Sequence, residues 1–153
     1  MPQGRGLFAG LSVRDNLELG RLERRTGQGV SWEMERILEF FPRLAERLDT
    51  PADFLSGGEQ QMVAVARAMI GDVRVLLLDE PFEGLAPAVG EELFDAFDRL
   101  RREVAIVIVE HNLDLVLALA DHTYVLERGS VVHEGPARPL LTDLDRRREV
   151  LWL

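Results

Sequence analysis

The sequence predicts an α/β fold: a short parallel sheet, with an all-helical stretch ahead of it and a β-hairpin behind it. Residues 73–78 and 104–109 are nearly continuous runs of Val, Ile and Leu. Such runs suit strands buried on both faces, as in a parallel sheet. The segment between them reads as a helix over 87–102, with Pro87 in its first turn. Strand, helix, strand in this order is the signature of an open sheet with right-handed crossovers. A third observation places the hairpin: Arg128-Gly129 sits between the strand-like runs 123–127 and 130–134, a tight-turn signal.

Residues 1–13 hold Pro2, Gly4, Gly6 and Gly10 and read as a loop. Residues 14–22 read as a short helix, and 24–31, with Gly27 and Gly29, as a loop or insertion. Within 32–41 the residues Met34, Ile37, Leu38 and Phe41 have helical spacing, and Pro42 interrupts or ends that helix. Residues 44–48 form another helical stretch before the polar turn Asp49-Thr50-Pro51. Ser56 is placed as an N-cap, with Glu59 three residues on to complete a capping box. The helix continues through 60–70, and Gly71 stops it. A further helix starts near Asn112 and runs to Ala120, and the tail from Pro136 is helical in its last turns. The helices before Ser56 do not fit the sheet and read as a separate helical subdomain.

A chain of 153 residues with 46% hydrophobic content can bury the core of one globular domain, which argues against wholesale disorder. The net charge of -9 argues against nonspecific nucleic-acid binding, which needs cations against phosphates. It does not forbid a nucleotide, because a few oriented amides and a magnesium ion hold phosphates locally. The absence of cysteine excludes disulfides and thiolate metal sites and fits a reducing cytosol. No apolar run approaches the length of about 20 residues that spans a bilayer, and the start carries no charged-then-apolar signal pattern. The expectation is a soluble, cytoplasmic chain with no direct membrane insertion, reaching a membrane only through a partner.

Two strings carry chemistry. Leu55-Ser56-Gly57-Gly58-Glu59-Gln60-Gln61 opens a helix with two glycines. A helix start presents unpaired N–H groups and partial positive charge, and glycines let an anion approach the backbone. A bare Ser-Gly-Gly would be no more than a well-capped helix. Val75-Leu76-Leu77-Leu78-Asp79-Glu80-Pro81 then ends a strand in two carboxylates. Ligand sites of open sheets lie at the carboxyl ends of strands. Asp79 is therefore placed to organise a magnesium ion, and Glu80 to polarise an attacking water. Taken alone, this is also how a core strand with an acidic exit would look. His111 follows the second strand run and could reach the same edge to bond a phosphate or orient the water. His122 and His133 share no ligand spacing with it and read as structural. No G-x-x-x-x-G-K-[ST] loop occurs, and every one of the 18 basic residues is Arg.

Together these residues resemble the nucleotide-binding subunits of ABC transporters, over essentially the whole chain. Leu55-Ser56-Gly57-Gly58-Glu59 is similar to the family signature, residues 75–79 to Walker B, and Glu83-Gly84-Leu85-Ala86 to the D-loop. Met1-Pro2-Gln3-Gly4-Arg5 is similar to the Q-loop. The wording Pro-Gln-Gly-Arg, Leu-Ser-Gly-Gly-Glu-Gln-Gln-Met and Glu-Gly-Leu-Ala-Pro is most similar to the branched-chain amino-acid importer subfamily. The Walker A loop, the adenine-stacking aromatic and the family's first strands have no counterpart. Ala86 stands where many members have Asp, and Phe82 where Thr or Ser is usual.

The resemblance implies a partial P-loop NTPase fold of the ABC type. It would be one incomplete domain, with a helical signature part over about 12–71, a sheet part over 72–135 and a tail over 136–153. It implies ATP and Mg2+ as ligands. Glu80 and His111 would be catalytic. Ser56, Gly57, Gly58, Gln60 and Gln3 would contact nucleotide, and Asp79 and Gln3 the metal. The implied partners are a second ABC ATPase subunit, identical or not, and membrane permease subunits, at the inner face of the cell membrane. The chain would start inside the family domain, as a truncated product or from a late start site, and by itself would bind ATP feebly. The alternative is a non-catalytic partner that pairs with a complete ABC subunit and regulates it. A soluble ABC ATPase of repair or translation is disfavoured by the absence of a coiled-coil insertion and a basic face.

Overall fold

The structure, a computed structural model, describes residues 6–22 and 30–151. The chain divides into two compact units, Met1–Val109 and Glu110–Leu153. The first unit runs α1 (Val13–Leu22), β1 (Val30–Trp32), α2 (Met34–Phe40), α3 (Pro42–Ala45), a 3-10 turn (Ala52–Phe54), α4 (Gly57–Met69), β2 (Gly71–Val73), β3 (Val75–Asp79), α5 (Pro87–Leu100) and β4 (Ala105–Val109). The second runs α6 (Leu113–Leu119), β5 (His122–Glu127), β6 (Ser130–Pro136), α7 (Ala137–Thr142) and α8 (Leu144–Leu151).

The parallel sheet is present: β3 pairs with β4 from Val75↔Ala105 to Asp79↔Val109, with α5 as the crossover. Gln61, Met62, Val63, Val65, Ala66 and Met69 of α4 are buried, as are Leu93, Ala96, Phe97 and Leu100 of α5. Val13 and Leu17 of α1 and Ile37, Phe40 and Leu44 of the next two helices join this core. A Cβ on Gly20 would lie 2.6 Å from Ile70 Cγ2, so glycine lets α1 approach the end of α4 closely. Asn16 is fully buried and fixes the loop before it. Its Nδ2 donates to the carbonyls of Phe8 (3.0 Å), Leu11 (3.2 Å) and Ser12 (3.0 Å), and its Oδ1 accepts from Phe8 N–H (2.9 Å). That loop in turn accepts from the segment preceding α4: Ala52 N–H donates to Leu11 O (2.9 Å) and Asp53 N–H to Ala9 O (3.1 Å).

Two expectations are corrected. The apolar run 73–78 is two strands, separated at Arg74: β2 turns away to pair antiparallel with β1, Val30↔Val73 to Trp32↔Gly71. Trp32 is therefore a strand residue and the helix starts at Met34. Pairing across some 40 positions of sequence leaves no local signal. The second correction concerns burial. Residues of β3 alternate: Leu76 and Leu78 are buried, but Leu77 is 74% exposed and Val75 50%. On β4, Val107 and Val109 are exposed as well. A continuous apolar run states that both faces want cover, not that both receive it.

In the second unit, Leu117, Ala137 and Leu140 form a small core, packed by Leu113, Val116, Ala120 and Val150. The hairpin turns at Arg128 and Gly129, with φ of 49° and 81°. Positive φ at both central residues matches the right-handed twist of the flanking strands. The tail is helical, as α7 and α8.

The exposed row Val75, Leu77, Val107 and Val109, on strands with free edges among the described residues, predicts self-association of the chain made alone. Sedimentation velocity should show concentration-dependent oligomers. Leu77→Thr with Val107→Thr should shift the distribution toward monomer without lowering the unfolding temperature. A monodisperse wild-type monomer would contradict this.

Candidate functional site

The glycine-opened helix is built as its sequence implies. Ser56 caps α4: its Oγ accepts from Glu59 N–H (3.3 Å), and Glu59 Oε2 accepts from Ser56 N–H (2.8 Å). These reciprocal bonds satisfy two donors that a helix start leaves open. Ser56 and Gly57 are exposed and Gly58 is half-buried, so the tip presents its backbone to solvent. The Glu59 carboxyl is held below the ordinary glutamate range, first by the hydrogen bonds with Ser56 and then by Arg47, whose Nε lies 3.4 Å away. Gln60 holds the approach to this helix. Its Nε2 donates to Ala52 O (3.1 Å) and Leu55 O (3.3 Å), holding the segment that leads into the tip.

The acid edge lies at the carboxyl end of β3. Asp79 is the last paired residue, opposite Val109. Glu80 N–H donates to Val109 O (2.8 Å), which extends the ladder one bond past the strand. Both acids are exposed. Glu80 has φ of 48°, a left-handed conformation that crowds a Cβ and costs a non-glycine residue roughly 1–2 kcal/mol. Strain of this kind is held only when neighbours over-determine it. Here the ladder bond precedes it and a tight turn follows, with Glu83 N–H donating to Glu80 O (3.1 Å). Phe82 anchors that turn: it is buried and meets Phe97 of α5 edge to face, with ring centroids 5.6 Å apart. The aromatic residue in place of Thr or Ser thus serves to pin the turn on α5.

His111 belongs to the second unit, two positions after the end of β4. Its imidazole is 69% exposed, with Nδ1 3.2 Å from Glu110 Oε1. The Glu110 carboxylate is 1% exposed and also accepts from the N–H groups of His111 (2.9 Å) and Asn112 (3.1 Å). A carboxylate facing Nδ1 favours the proton on that nitrogen. Glu110 carries no expected role in the sequence, yet its signal is local: an acid directly before the histidine, followed by the N-capping Asn112. His122 lies 3.4 Å from Glu134 across the hairpin. Gln3 lies outside the described residues.

Among the described residues no group of three or more His, Cys, Asp or Glu could hold a metal ion. Magnesium does not need one: it binds through one or two carboxylates, with phosphate oxygens and water for the rest. An exposed carboxylate at a strand end fits that donor set. The first unit's cleft, about 320 Å3 and lined by Phe40, Arg43, Glu92 and Arg99 among others, contains none of these site residues.

Ser56→Ala should lower stability by about 1 kcal/mol, read from the denaturant midpoint. The Glu59 contribution has a defined pH sense. Its folded pKa is lowered, so its stabilisation is complete above the ordinary glutamate pKa and is lost as pH falls through the lowered one. Glu59→Gln should remove that part of the acid limb of a stability-against-pH curve. Glu80→Gly should leave stability unchanged or raise it by up to about 1 kcal/mol, because relief of the left-handed strain outweighs or matches the entropy glycine adds to the unfolded chain. A loss of stability in Glu80→Gly would show that the φ of this residue stores no strain.

Comparison with known proteins gives these features a context. The high-affinity branched-chain amino acid transport ATP-binding protein BraG of Pseudomonas aeruginosa is 42% identical over 144 residues, covering 94% of this chain and 61% of its own. The molybdenum import ATP-binding protein ModC of Pseudomonas savastanoi is 39% identical over 94% of this chain and 40% of its own. A solved ATP-binding cassette of an ABC transporter superposes with a TM-score of 0.71 at 29% identity, over 99% of this chain and 64% of its own. Another, a dimer in a post-hydrolysis state bound to ADP and Pi, gives a TM-score of 0.71 at 25% identity, over 89% of this chain and 61% of its own. The chain thus spans between about two fifths and two thirds of the length of these relatives. Among the described residues no helix is long and apolar enough to cross a membrane. The family described as ABC transporter matches residues 1–83, more than half of the chain, and the chain belongs to that family.

Proposed function

We propose that this chain supplies the signature face and the acid edge of an ATP-hydrolysing subunit in an ABC importer. The observation that carries the reading is the pairing, within one unit, of an exposed capped glycine tip and an exposed acid edge whose second acid is held left-handed. Ser56, Gly57 and Gly58 present N–H groups and the positive end of α4 to the triphosphate held by a second ABC subunit. Gln60 keeps that tip in place, and Gln3 joins the metal and nucleotide contacts. Asp79 would hold Mg2+, which would neutralise charge on the phosphates. Glu80 takes a proton from the attacking water, and His111, oriented by Glu110, bonds the γ-phosphate. ATP and Mg2+ are the ligands; the chemistry they supply is phosphoryl transfer to water. Residues 12–71 form the signature-bearing part, 72–135 the acid-bearing part and 136–153 the tail.

Permease subunits would hold the protein at the inner face of the membrane. The BraG likeness supports branched-chain amino acids or related amides as the solute, and the ModC likeness makes an oxyanion the competitor to test. The alternative is a non-catalytic partner that pairs with a complete ABC subunit and regulates it. Co-purification with such a subunit distinguishes the two.

In an assembly that contains this chain and hydrolyses ATP, Glu80→Gln should lower turnover by about a thousandfold while nucleotide binding is retained. Steady-state phosphate release and equilibrium binding of a fluorescent ATP analogue read the two quantities. Unchanged hydrolysis would remove Glu80 from the role of base.

A further inference from the structure

Gly58 is a glycine for a reason internal to the protein. A Cβ at this position would lie 2.6 Å from Val89 Cγ1, 3.0 Å from Cγ2 and 3.2 Å from Val89 Cβ. Real Cβ atoms do not approach side chains so closely, and Val89 is β-branched, with little freedom to turn aside. One residue later on α5, a Cβ on Gly90 would meet nothing within 4 Å. The contact is therefore specific to Val89. Val89 is also linked along the chain to the acid edge, through one ladder bond and three tight turns. Glu80 N–H donates to Val109 O (2.8 Å), Glu83 N–H to Glu80 O (3.1 Å), Leu85 N–H to Phe82 O (3.4 Å) and Val89 N–H to Ala86 O (2.9 Å). Phe82, packed on Phe97, fastens the middle of this run to α5 itself.

We propose that Val89 is a positioning residue: its side chain seats the glycine tip of α4 on the start of α5, and through α5 couples it to the turn that follows Asp79, so that tip and turn move as one body. For its consequence in catalysis this rests on the nucleotide reading above; the mechanical link itself does not. A glycine at 58 then serves two ends, admitting Val89 on one side and leaving the helix tip bare on the other.

The test is a double-substitution cycle in the full chain. Gly58→Ala should destabilise strongly, and adding Val89→Ala, which removes both Cγ atoms, should recover at least half of that loss. Additive effects would overturn the link. Should Gly58→Ala fail to fold, Val89→Ala alone decides by hydrogen exchange. Amides 57–60 and 83–86 should both exchange about tenfold faster than in the wild type; an unchanged tip would overturn the proposal. A third readout separates positioning from simple loss of packing. In ATP-dependent pairing with a complete ABC cassette subunit, Val89→Ala should weaken association about tenfold, while Gly90→Ala, on the same helix turn, leaves it unchanged. Equal pairing by Val89→Ala and wild type would overturn the functional consequence. No ATP-dependent pairing by the wild type would refute the nucleotide reading, with the link still judged by the cycle and the exchange.

Discussion

Reciprocal hydrogen bonds between Ser56 and Glu59 fix the first turn of α4, and α4 is the helix against which the first unit is assembled. Its buried side, from Gln61 to Met69, supplies much of the apolar core. Its far end accepts α1 through Gly20, and its near end accepts α5 through Gly58. Close approach at both ends requires the absence of a Cβ, so the same residue type sets the geometry twice. Gln60 extends the constraint backwards to the 3-10 turn, which is bonded to the loop that Asn16 organises. The tip is exposed while everything behind it is held, which is what a surface meant to meet another molecule without reorganising requires.

The acid edge obeys a different economy. A strand of five residues ends where its partner ends, and one further bond, from Glu80 to Val109, carries the chain past the sheet. That bond and the turn after it leave Glu80 in a conformation that a glycine would adopt more readily. Phe82 offsets the strain through buried aromatic contact with Phe97. Stability taken from the hydrophobic side of α5 thus holds Glu80 in its left-handed conformation.

The second unit is governed by a turn and a buried carboxylate. Two consecutive left-handed residues close the hairpin, and Glu110 draws the amides of His111 and Asn112 onto one oxygen at the start of α6. The histidine is thereby oriented from its own neighbour.

Much of this was written locally and so could be read from the chain. The capping box at Ser56 and Glu59, the proline-led α5, the hairpin at Arg128-Gly129 and the placement of two carboxylates at a strand end each depend on residues within a few positions of one another, and local chemistry determines local conformation. The antiparallel partner of residues 71–73, the uncovered faces of β3 and β4, the left-handed Glu80, the buried Glu110 and the seat of Gly58 on Val89 were decided only by the fold. Each depends on which distant segment arrives at a surface. Apolar runs and glycines announce a demand for contact, but the identity of the contacting group is set when the chain has closed upon itself.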